Sequence, residues 1–310
     1  MELSYEYNNS DNEIFNRLYL TQIFDFLETL GYNNRFVDTQ YMCYEHYKQL
    51  FHYSLIKQYN IDQVFLNTDR PYGYNRYNSL LITGDTNVRY TGDFLFGIFK
   101  KIKTPICIFI DFKSLKIPNY YHTTLLIYRP ENKTIEHFDS NGIFKFGNIS
   151  IFYEIMDRII ENDLSIRFID SKKVSTLENY SDSEARARGL NVVCGMVGKK
   201  DIGWCQIWSL FVYEMINKFP EYNTRNIMIL LYSQFKGKKF KDAGFKALNI
   251  IRGYYRILLG RLNLYLSEIG VQITNEILTE YNPNFVINDK KVDNMITEFL
   301  DDKIIGIYDE

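Results

Sequence analysis

HTTLLIYRPENKTIEHFDS, residues 122–140, reads as a β-hairpin. Its strands are His122–Tyr128 and Thr134–Ser140, around the turn Arg129-Pro130-Glu131-Asn132. Proline at the second turn position suits a type I turn. Opposed residues in an unbulged antiparallel pair have a constant index sum. A turn centred between Pro130 and Glu131 sets His122 directly across from Asp139, Thr123 across from Phe138 and Leu125 across from Glu136. Directly opposed Cβ atoms lie roughly 4.5–5.5 Å apart, close enough for a carboxylate to hold an imidazole N–H. A one-residue slip separates the pair onto opposite faces. A slip of two makes His137, on the same predicted face, the alternative imidazole.

Upstream of the hairpin, Thr104–Phe112 (TPICIFIDF) is almost wholly apolar, as in a strand buried on both faces. A short strand at Leu80–Thr83 lies between turns at Pro71-Tyr72-Gly73 and Gly84-Asp85. Nearer the start, Ile14, Phe15, Leu18, Leu20, Ile23, Phe24, Phe26 and Leu27 have helical spacing, closed by Gly31, so residues 13–31 are expected as an amphipathic helix. Residues 40–60 are aromatic-rich and expected helical.

Downstream, Ile149–Glu161 reads as a helix, Ser165–Asp170 as a strand and residues 171–190 as an exposed loop. Trp204–Phe219 reads as a helix stopped by Pro220. Residues 222–270 look helical, with a basic face of Lys236, Lys238, Lys239, Lys241, Lys246, Arg252, Arg256 and Arg261, read as solvated. The expected fold class is α+β: a mixed β-sheet with a central nucleophile-bearing helix, flanked by helical N- and C-terminal additions. The expected division is residues 1–70 as a helical extension, 71–220 as the core and 221–310 as a helical C-terminal region.

Chemistry concentrates at Gly203-Trp204-Cys205-Gln206-Ile207-Trp208-Ser209-Leu210-Phe211, where a cysteine opens a helix. First-turn N–H groups carry partial positive charge and favour a thiolate. Cys205 is therefore the candidate nucleophile, with His122 as its base and Asp139 orienting the imidazole. The Cys205 N–H is one oxyanion donor, and Asn191 or Gln206 is a candidate second. Simpler roles compete: Cys205 as a plain buried cysteine, and Asp139 before Ser140-Asn141-Gly142 as a turn-former. Cys194 is the rival nucleophile, Cys43 and Cys107 read as structural, and Trp204 and Trp208 read as core. His46 and His52 read as surface or packing residues.

The formal net charge of -2 gives no global sign of a nucleic-acid or membrane-surface binder. Four scattered cysteines form no disulfide framework, and no CxxC pair marks a zinc site. Residues 1–12 lack a signal-peptide apolar core, and no run reaches the roughly 18 apolar residues of a membrane span. No metal or organic cofactor is expected.

His122 opening a hydrophobic strand, Phe138-Asp139-Ser140 ending the next and Gly203-Trp204-Cys205 opening a helix together resemble the adenain-like and SUMO-protease-like cysteine peptidases (clan CE). The likeness is greatest to the peptidase-like proteins of large DNA viruses, in which a glycine-aromatic-cysteine precedes an aromatic-serine, as at Trp208-Ser209. Heavy use of Tyr, Asn, Ile, Lys and Phe agrees with an AT-rich source. The resemblance covers about residues 100–220. It implies thiol proteolysis of a protein substrate, a viral precursor or a ubiquitin-like conjugate, in host cytoplasm, viral factory or virion. Nucleic acid is not an expected partner beyond weak contact by the basic C-terminal helices. Two departures stand out: Thr123 follows His122 where many SUMO-protease-like enzymes have Trp, and Val197–Lys200 contains no glutamine. A YopJ-type acyltransferase on the same fold and a binding protein without catalysis are the alternatives.

Overall fold

The computed structural model describes residues 45–67, 76–113, 121–142, 148–175, 189–190, 204–220, 222–233, 240–268, 270, 298–300 and 303. The helix expected at 13–31 lies outside them, as do Cys43, Asn191 and Cys194, while His46 falls within the first described helix. In chain order the elements are α1 (Glu45–Tyr59), β1 (Leu66–Asn67), β2 (Arg76–Tyr77), β3 (Ser79–Ile82), α2 (Val88–Lys101), β4 (Ile106–Lys113), β5 (Tyr121–Arg129) and β6 (Thr134–Phe138). Then come α3 (Ile149–Asn162), β7 (Arg167–Ile169), α4 (Ser171–Ser175), α5 (Cys205–Lys218), α6 (Thr224–Ser233) and α7 (Phe240–Ser267).

A five-stranded mixed sheet runs in the order β3-β4-β5-β6-β7. Its two inner pairings, β4 with β5 and β5 with β6, are antiparallel, and the two outer pairings are parallel. Each parallel pairing is made by a helical crossover, through α2 and α3 respectively. The fold is thus α+β, as the sequence implies.

Side-chain alternation divides the sheet between two cores. Ile106, Ile108, Ile110, Phe112, Leu126, Tyr128 and Ile135 pack with α2 and α3. Cys107, Phe109, Leu125, Ile127 and Phe138 pack with α1, α5 and α7. The sheet is thus covered on one face by α2 and α3 and on the other by α5, with α1 and α7 packed against that helix. Its residues from Cys205 to Ile216 are all buried, which is why its sequence is apolar on every side. Segments flanking the sheet therefore share its hydrophobic core. Among the described residues, no helix is long and apolar enough to cross a membrane.

The hairpin register differs from the expected one. Arg129 pairs with Thr134 and Leu125 with Phe138, so every opposed pair is displaced by two in index sum. The cause is the turn. Lys133 adopts a left-handed conformation (φ 50°) and its N–H reaches the Pro130 carbonyl at 3.4 Å, so the loop comprises Pro130 to Lys133. Residues 171–190 also differ from a plain exposed loop: α4 opens the segment with Ser171, Val174 and Ser175 buried, and Gly189 and Leu190 close it, both buried.

Arg261, expected on a solvated basic face, instead makes a two-pronged contact with Glu214 of α5, at 2.9 and 3.2 Å. Tyr59 and Tyr254 also donate to that carboxylate, at 2.6 and 2.8 Å, tying α1, α5 and α7 together. His52 is buried in contact with Phe109 and Tyr213.

β5 holds both ends of α5. From His122 to Arg129 the strand advances about 23 Å at roughly 3.3 Å per residue. From Cys205 to Lys218 the helix advances about 20 Å at about 1.5 Å per residue. At the far end, buried Arg129 donates to the carbonyls of Pro220 (3.2 Å) and Tyr222 (2.7 Å) and to Glu136 Oε2 (3.5 Å). Glu136 Oε2 also accepts from the Thr224 N–H (3.1 Å) and hydroxyl. Glu136→Ala leaves the buried guanidinium with only the exposed Glu131 carboxylate, 3.9 Å away, which costs up to about 3–5 kcal/mol. Urea denaturation tests this. A loss below about 1 kcal/mol would transfer the weight to the two carbonyl contacts.

Candidate active site

The other end of β5 brings together the three residues singled out in the sequence. His122 is the second residue of β5, Asp139 follows the last residue of β6, and Cys205 is the first residue of α5. Carried past its last pair, the observed register sets His122 opposite Asn141 and Asp139 opposite Thr124. His122 and Asp139 are therefore diagonal neighbours on one face rather than directly opposed, still within reach of a long side chain. His122 Nε2 lies 2.8 Å from Asp139 Oδ1, with both side chains buried.

The turn after β6 shapes the carboxylate. The Asn141 N–H donates to Asp139 Oδ1 (2.8 Å) and the Gly142 N–H to the Asp139 carbonyl (2.9 Å). Gly142 has φ +75°, where glycine carries no steric cost. The Asp139 N–H donates to Ser175 Oγ of α4 at 3.1 Å. Among the described residues Asp139 Oδ2 is buried with no hydrogen-bond partner.

Burial disfavours a charged His122, but the Asp139 charge and hydrogen bond, joined by a hydrogen bond and charge interaction with Cys205, push its pKa up to about 10. Burial likewise opposes ionisation of Asp139, and the His122 charge and the Asn141 N–H outweigh it, holding the carboxyl below its ordinary range. At neutral pH the pair is an imidazolium beside a carboxylate.

Cys205 is 5% exposed and sits at a helix start with no side-chain cap and no acidic residue in its first turn. No acidic side chain of the helix's own first turn opposes the partial positive charge of its first N–H groups. Cys107 lies in the sheet's core beside Phe109, and burial pushes its thiol far up. Trp204 and Trp208 are wholly buried core residues.

His137 does not replace His122, although the register moved by two. It packs on Phe152 and Phe168 with Nε2 3.0 Å from Thr124 Oγ1. Burial pulls its pKa down to about 4, so it is neutral. Gln206 is the buried second residue of α5.

Three contributors were not singled out in the sequence. Asn141 Nδ2 lies 3.3 and 3.4 Å from the two ring nitrogens of His122. Ser175 binds the Asp139 backbone, and the Gly189 N–H donates to the Asn141 carbonyl at 3.0 Å. The Asn141-Gly142 dipeptide was a visible turn signal. Ser175 and Gly189 had none. At Gly189 an added Cβ falls 2.1 Å from the Ser140 carbonyl oxygen and 2.3 Å from the Gly142 nitrogen. Both neighbours are backbone, so Gly189→Ala must displace the turn that carries Asp139. The expected cost is about 1–3 kcal/mol, with slower alkylation of Cys205. Unchanged urea midpoint and alkylation rate would show that the two segments separate freely.

No protein-family model matches the chain, and no curated protein matches it. Among solved structures, the crystal structure of the Legionella pneumophila effector protein RavZ is similar at TM-score 0.31 and 13% identity, over 86% of this chain and 83% of that one.

Proposed function

We propose that this protein is a cysteine peptidase in which Cys205 is the nucleophile, His122 the general base and acid, and Asp139 the residue that orients His122. The observation carrying this reading is one imidazole in contact with both a buried carboxylate and a thiol at a helix start. In the resting site the proton of Cys205 already sits on His122, so thiol and imidazole stand as a thiolate–imidazolium pair. Sγ attacks the scissile carbonyl carbon, and the Cys205 N–H donates to the developing oxyanion. His122 then protonates the leaving amine. Water, deprotonated by His122, attacks the thioester and releases the acid and the thiol. Asn191 or Gln206 supplies a second donor to the oxyanion. The adenain-like and SUMO-protease-like resemblance adds the substrate class: a viral precursor or a ubiquitin-like conjugate.

The test is labelling with iodoacetamide beside a ubiquitin or SUMO vinyl-type electrophile, in the wild type and in Cys205→Ala. Fast labelling at neutral pH that vanishes in Cys205→Ala supports the thiolate. Reaction with the protein-tagged electrophile supports ubiquitin-like substrates. Mass-spectrometric detection of an acetyl-enzyme formed from acetyl-CoA would instead favour acyl transfer. The exposures of Cys205 (5%) and His122 (2%) favour one other reading, a binding protein that retains the site without turnover. Labelling of Cys205 no faster than Cys107 would establish that reading over the peptidase.

A further inference from the structure

We infer that Asn141 is a positioning residue, which clamps the Asp139–His122 pair from the solvent side and keeps the imidazole turned towards Cys205. This inference rests on the peptidase reading and deepens it.

The geometry carries it in two ways. The Asn141 backbone N–H binds Asp139 Oδ1, the same oxygen that meets His122 Nε2. Its side-chain nitrogen lies 3.3 Å from His122 Nε2 and 3.4 Å from Nδ1. The in-plane directions of the two ring nitrogens diverge, so one amide group nearly equidistant from both lies over the ring, not in line with either. The amide therefore limits how far the ring can tilt, while Asp139 limits its rotation in plane. Asn141 is also the partly exposed member of the group: His122, Asp139 and Cys205 are all buried. Removal of the amide opens the face of the ring to water while the backbone N–H to Asp139 remains. The residue is itself anchored, because its carbonyl accepts from Gly189 and an added Cβ at Gly189 would meet its carbonyl carbon at 2.4 Å. A misplaced base is costly, since a displacement near 1 Å lowers rates by as much as about a hundredfold.

The test uses the full chain and iodoacetamide. Asn141→Ala is expected to slow alkylation of Cys205 at pH 7 by about tenfold per folded molecule, with a melting temperature close to wild type. A merely structural role would lower the melting temperature and leave the alkylation rate of the folded fraction unchanged. That outcome, or a rate within twofold of wild type, overturns the inference. A second arm needs no reactivity. In a Cys205→Ala background, Asn141→Asp sets a negative charge against the ring and is expected to raise the NMR titration midpoint of His122 by about one unit. No shift there places the side chain away from the ring and overturns the inference independently. If wild-type Cys205 labels no faster than Cys107, the peptidase reading fails and the inference with it, whereas fast wild-type labelling with a silent Asn141 removes the inference alone.

Discussion

On the peptidase reading, Cys205→Ala is expected to fold and lose turnover, and His122→Gln to fall to nearly the same level. Members of a nucleophile–base unit act together, so removal of either costs about 10⁴- to 10⁶-fold in turnover, and the double variant is scarcely worse than Cys205→Ala alone. Glutamine is the informative replacement for His122. Its amide can donate to Asp139 Oδ1, so the buried carboxylate keeps a partner, but it cannot accept the thiol proton. Alanine at that position would leave Asp139 as a buried charge without its partner, at a cost of about 3–5 kcal/mol, and would confuse unfolding with lost chemistry. The measurement is the iodoacetamide rate at neutral pH, with circular dichroism confirming the fold. An alkylation rate in His122→Gln within threefold of wild type would remove His122 from the mechanism.

Asp139→Asn separates orientation from charge. The amide occupies the same space yet withdraws the strongest influence holding His122 protonated. The His122 midpoint then falls from about 10 towards and below its ordinary value, because burial is no longer opposed. The thiolate–imidazolium pair weakens, and turnover falls by about 10²- to 10⁴-fold. Stability changes its pH dependence with a definite sign. The raised pKa of His122 contributes stability that is fully present below its unfolded value of 6.5 and disappears as pH rises through about 10. The lowered pKa of Asp139 contributes stability present above its ordinary 3.8 and lost as pH falls through its folded value. Wild-type urea midpoints should therefore decline between pH 6.5 and 10, while those of Asp139→Asn stay flatter. Equal slopes would mean that the two side chains do not form an ion pair in solution.

Much of this arrangement was legible from local pattern. Apolar runs bounded by turn residues gave β4, β5 and β6 within a residue or two, and period-3.6 spacing gave α3 and α5. The helix α2 was missed because Gly92 and Gly97 interrupt it and the surrounding segment was read for its turns. Its cap, Asn87, whose side chain accepts from the Tyr90 N–H at 3.0 Å, was a readable signal. The hairpin register was illegible at Lys133, because lysine gives no warning of a left-handed conformation. The His122–Asp139 pairing survived that error because a displacement of two preserves the face. Ser175 and Gly189 reach the acid turn only through tertiary packing, and no spacing rule marks such contacts. Arg261 looked solvated because its partner, Glu214, lies on a different helix.

The order of the site's parts along the chain also sets when it can work. His122 and Asp139 emerge on one hairpin during synthesis, whereas Cys205 follows only after α3, β7 and α4. Helices and hairpins form within microseconds, but the parallel pairings at both sides of the sheet need distant segments to meet and are slower. A nascent chain thus carries the acid–imidazole pair before Cys205 has been made, and later Cys205 without its base until α5 docks along β5. On the peptidase reading, nucleophilic reactivity of Cys205 therefore reports completion of tertiary assembly.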